Sequence, residues 1–66
     1  PNKSSQLDVS SANKGVLIPR VKLISPIDQK TIENGNVNSL LVFNTNTTGG
    51  MKEAYYYWLD NRWLKI

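Results

Sequence analysis

The sequence predicts a mainly β domain, a small antiparallel meander or hairpin fold that association with further protein can complete. Three observations predict it: apolar runs of strand length broken by Gly, Pro and Asn; a two-residue link, Asp60-Asn61, between aromatic segments; and a length of only 66 residues. Surface scaling gives a chain of this size roughly 60% burial of its unfolded surface. Apolar burial at about 25 cal/mol/Å² and ordering at about 1.5 kcal/mol per residue then each reach on the order of 100 kcal/mol and cancel. With no cysteine and no histidine, neither a disulfide nor a thiolate or imidazole metal site supplies the difference. Oligomerisation or a neighbouring domain is the remaining remedy.

Residues 1–6 are polar and aperiodic, a linker or an arriving segment; residues 7–66 form one domain. Leu7 to Val9 is a short strand candidate that the stretch Ser10 to Gly15 ends as a turn, and its expected partner is a neighbouring chain. Val16 to Ile24 reads as the first long strand, with Leu17, Pro19, Val21 and Leu23 on one face and Ile18, Arg20 and Lys22 on the other. Pro19 lacks an amide donor, so it places that strand at an edge or marks a bulge. Ser25-Pro26 ends it. Ile27 to Asn38 is a connector, Leu40 to Asn44 a densely apolar second strand, and Thr45 to Gly50 a polar loop. Ala54 to Leu59 and Arg62 to Ile66 are the third and fourth strands.

Asp and Asn tolerate left-handed backbone, which a two-residue hairpin requires at its tip. Leu59 and Arg62 then face each other, and Trp58 and Trp63 form a cross-strand pair. Alternation puts Tyr55, Tyr57 and Leu59 on one face of the third strand and Ala54, Tyr56 and Trp58 on the other. Both faces carry large apolar groups, so something must cover the second.

Four blocks in order, Leu7-Asp8-Val9-Ser10-Ser11, Asn13 to Val21, Leu40 to Thr47, and Tyr56-Tyr57-Trp58 with Trp63 to Ile66, resemble short modules of phage tail-fibre proteins. The same modules occur in surface or secreted proteins of Bacteroidetes-type bacteria. The resemblance implies an extracellular, cell-surface or virion-tail location and a homotrimer. Two departures stand out: Asp60-Asn61 where such modules carry Asn-Gly at the last hairpin, and Ser39 where they carry glycine before the second apolar block.

The acids Asp8, Asp28, Glu33, Glu53 and Asp60 sit at strand ends and in connectors, no triad pattern appears, and the reading is non-catalytic with no cofactor or metal. The loop from Asn44 to Gly50 has no carboxylate for calcium. A charge of +3 from dispersed Lys and Arg is too dilute for nucleic acid. Asn2-Lys3-Ser4 and Asn46-Thr47-Thr48 match the glycosylation acceptor pattern, which matters only in a glycosylating host. No run of apolar residues is long enough to span a bilayer, no signal-peptide pattern is present, and a chain opening on Pro1 is expected to be a processed or excised piece.

The leading functional reading is therefore a structural or binding module of a larger surface, secreted or tail-fibre-like protein. Leu17, Val21, Leu41, Phe43, Trp58 and Trp63 are its candidate core or interface residues. The alternative is carbohydrate binding and adhesion, with a cell-surface glycan stacked on Tyr55, Tyr57 and Trp63 and hydrogen-bonded by Asn61 and Arg62.

Overall fold

The computed structural model describes residues 3–66, so part of the expected linker, Pro1 and Asn2, lies outside the described residues, as does the asparagine of the first glycosylation pattern. Four strands form a single sheet in the order β1 (Arg20–Val21), β2 (Leu41–Asn44), β3 (Ala54–Leu59) and β4 (Arg62–Lys65). No helix occurs among the described residues. Strands β2, β3 and β4 make the expected antiparallel meander. Strand β1 joins it in parallel, with Arg20 opposite Phe43 and Val21 opposite Asn44, so the sheet is mixed. A parallel neighbour needs a crossover, and the connector between β1 and β2 provides it.

The hairpin is built as its residues dictate. Asp60 and Asn61 have φ of 54° and 62°, the pair of left-handed residues of a type I′ turn, and Leu59 faces Arg62 across it. The next pair, Trp58 and Trp63, meets edge to face with ring centroids 5.3 Å apart. Ser39, standing where glycine was expected, adopts φ 77° and donates its N–H to Trp58 O at 2.7 Å, so the left-handed entry into β2 survives without glycine.

One sequence expectation is corrected. Val16 to Ile24 contributes only Arg20–Val21 as strand, because β2 is four residues long and the ladder ends where Leu23 N–H turns to the Asn44 side chain. Within the single chain Leu7 to Val9 pairs with no strand, and its side chains lie exposed on an N-terminal arm. A chain of this length packed as a globule has a radius of gyration of about 11 Å. The observed 13.7 Å and a long axis of 39 Å reflect the arm.

The core lies on one face of the sheet. Val42, Tyr56, Trp58 and Trp63 point there and are closed over by Leu23 and Met51, with Val21, Ile32, Leu40 and Ala54 at the margin. Two polar clasps hold that cover down. Asn44, fully buried, accepts the N–H of Leu23 (2.9 Å) and Asn46 (3.0 Å) and donates to the carbonyls of Asn46 (2.9 Å) and Lys52 (2.7 Å), using its whole hydrogen-bonding capacity. Asn46 repeats the device, donating to Leu23 O at 2.6 Å and Thr48 O at 3.2 Å while accepting from the Thr48 N–H and hydroxyl. The loop predicted as a simple connection is thus tied to the segment that follows β1.

Asp28 makes the second clasp. Its carboxylate accepts the N–H of Ile24 (2.9 Å), Lys30 (2.8 Å) and Thr31 (3.1 Å) and the Thr31 hydroxyl. Its carbonyl accepts Trp63 Nε1–H at 2.9 Å, and Pro26 O accepts the Trp63 N–H at 2.7 Å. The connector therefore blocks the outer edge of β4, a common protection against edge-to-edge pairing.

Candidate subunit-contact face

The register places three rows of side chains on the face opposite the core. Leu41, Tyr57 and Leu64 form one row across β2, β3 and β4; Arg20, Phe43 and Tyr55 form the next across β1, β2 and β3; Leu59 and Arg62 close the hairpin end. Phe43 and Tyr55 pack edge to face with centroids 4.9 Å apart. Leu41 and Tyr55 remain 39% and 40% exposed, and Phe43, Tyr57, Leu59 and Leu64 are half-buried by one another. The connector lies over the core side, so this face meets solvent except where Leu17 and Ile18 approach its β1 margin.

A compact monomer of 7.5 kDa exposes about 4,200 Å². This chain exposes 5456 Å². The surplus reflects the extended arm that lies off the sheet.

The residues singled out from sequence separate into two groups. Trp58 and Trp63 are core, 4% and 3% exposed, and Val21 packs against them. Leu41 and Phe43 belong to the open face, and Leu17, 78% exposed, lines a hollow beside Phe43. Of the residues proposed for glycan stacking, Tyr55 and Tyr57 share the open face with Arg62, Asn61 sits at the hairpin tip, and Trp63 lies under the opposite face. No one surface presents both tyrosines and Trp63. Leu59 and Leu64 complete the apolar face; alternation already groups Leu59 with Tyr55 and Tyr57, but neither leucine is among the residues singled out from sequence as candidate interface.

Chemistry is sparse on this surface. Its rows hold two guanidinium groups and no carboxylate. Asp28 is the described carboxylate with a clearly displaced pKa: burial alone would raise it, but the Thr31 hydroxyl and the amides of Ile24, Lys30 and Thr31 overcome that and lower it to about 2. It floors a hollow of about 350 Å³ over residues 24–30, and its four accepted hydrogen bonds leave no lone pair directed outward for a substrate. No group of three or more acidic residues placed to hold a metal ion occurs among the described residues.

A one-sided core beneath a sheet whose other face is apolar and open among the described residues defines a small β module. The whole chain, residues 1–66, matches the family model described as phage tail like trimerisation region, and the chain belongs to that family. No curated protein and no solved structure matches the chain.

Proposed function

We propose that the chain is a non-catalytic homotrimerisation module of a phage-tail-like fibre, acting in a virion tail or at an extracellular surface. The observation that carries the reading is the open face of Leu41, Phe43, Tyr55, Tyr57, Leu59 and Leu64 in a chain of this family. Closed threefold symmetry lets three such faces meet on one axis, each covered by its two neighbours and none left over to propagate a filament. Arg20 and Arg62 stand at the margins, where charge stays hydrated while the apolar centre is dehydrated. Tyr55 and Tyr57 are buried in this assembly, which leaves a glycan only their rims.

The test is Leu41→Lys, which puts an ammonium on the apolar face without touching the core. Light scattering on the eluting species is expected to move from trimer to monomer, with the exciton circular dichroism of the Trp58–Trp63 pair retained. A Leu41→Lys protein that stays trimeric at the parent's dissociation concentration contradicts the assignment of this face.

A further inference from the structure

We propose that the N-terminal arm of one protomer docks on its neighbour in the trimer, with residues 7–9 adding as a strand to the free edge of β1. This rests on the homotrimer reading and names the segment that joins the subunits. Three observations converge on it.

The first is the arm. Residues 3–17 contain no strand, and Leu7 and Val9 are 81% and 67% exposed. Spaced two apart, they fall on one side of an extended segment. The Ser11 hydroxyl accepts the N–H of Asn13 and Lys14 at 3.2 and 3.0 Å, a turn that sets the arm off from the sheet.

The second is the edge. Pro19 O and Val21 O accept Phe43 N–H (3.0 Å) and Thr45 N–H (2.8 Å), so these odd-numbered residues face β2. Alternation turns the backbone groups of Arg20 and Lys22 outward. The opposite edge, β4, is occupied at Trp63 by Pro26, which leaves β1 as the available side for a fifth strand.

The third is a receptor. Leu17, Ile18, Arg20, Phe43 and Tyr55 line a hollow of about 170 Å³ at the β1 margin of the apolar face. A cavity of about 150 Å³ lined by apolar side chains takes a benzene-sized group, so one leucine fits. A strand paired with Leu7 opposite Arg20 puts Leu7 on that face and into the hollow. Six residues, the Ser11–Lys14 turn among them, separate Val9 from Val16 and link the arm to the sheet. Head-to-tail donation by each of three copies closes into a ring.

The chain has no cysteine, so introduced thiols report contacts cleanly. Leu7→Cys and Arg20→Cys chains, mixed, refolded together and mildly oxidised, are expected to form a disulfide between the two kinds of chain. Leu7→Cys mixed with Glu33→Cys is expected to form none. Removing residues 1–10 is expected to raise the trimer dissociation concentration roughly tenfold or more through loss of the buried Leu7 and Val9. A parent trimer that gives no Leu7–Arg20 cross-link and dissociates unchanged after truncation overturns the arm and leaves the trimer standing. A parent chain that is monomeric overturns both.

Discussion

Asn44→Ala is the substitution expected to cost this fold most for the fewest atoms. The side chain has no exposed surface and is engaged in four hydrogen bonds of 2.7–3.0 Å, all to backbone. Alanine leaves the N–H groups of Leu23 and Asn46 and the carbonyls of Asn46 and Lys52 without that partner. Each buried group so stranded costs about 1–3 kcal/mol. The carbonyl of Lys52, an exposed residue, recovers water most easily, so the two N–H groups dominate and the loss is about 3–5 kcal/mol. Total stability for a chain of this length is on the order of 3–10 kcal/mol, so the variant is expected to be largely or wholly unfolded at modest urea. Urea titration followed by tryptophan fluorescence at fixed protein concentration is the assay, because association adds to apparent stability. Asn38→Ala, at an exposed position, is the control. A loss at Asn44 of less than about 1 kcal/mol, comparable with the control, refutes the view that this amide holds the cover to the sheet.

Ser39→Gly is expected to stabilise by about 0.5–1 kcal/mol, read as a higher urea midpoint, since φ 77° strains serine by more than glycine's added unfolded-state entropy costs. Gly49→Ala should destabilise by about 2 kcal/mol or more: φ is 66° and a Cβ would lie 2.5 Å from Ile24 O, a backbone atom that cannot step aside. Asp28, held at about 2 when folded against an ordinary 3.8, contributes stability that is complete above its unfolded value and is lost as pH falls from about 4 through 2. Urea midpoints across that window should fall in the parent and fall less in Asp28→Asn, which starts lower at neutral pH; parallel slopes would falsify the assignment.

The hairpin and the second strand were legible because their signals are local. Asp60-Asn61 sets its own turn, and alternation from Ala54 to Leu59 fixes which rings share a face. The expectation that apolar groups would occupy both sheet faces followed from the same alternation, and the face without a cover is the one bearing Leu41 and Tyr55. What escaped was non-local. The extent of β1 depends on how much of β2 lies opposite, a pairing twenty-odd residues away that Val16 to Ile24 does not encode. Its parallel direction depends on the crossover through residues 22–40. The Asn44, Asn46 and Asp28 clasps use residue types that also populate ordinary loops, and only the fold shows that their partners are the backbone around Leu23 and Trp63.

The mass of the chain in solution tests the central claim most directly. Sedimentation equilibrium over a concentration series is expected to give three times the 7.5 kDa chain mass, falling toward the single mass only on dilution. In Leu41→Lys the single mass should appear throughout while the Trp58–Trp63 signature persists. A parent chain that stays a folded 7.5 kDa monomer at high micromolar concentration contradicts the account, since the open face would then be stable in water without a second copy.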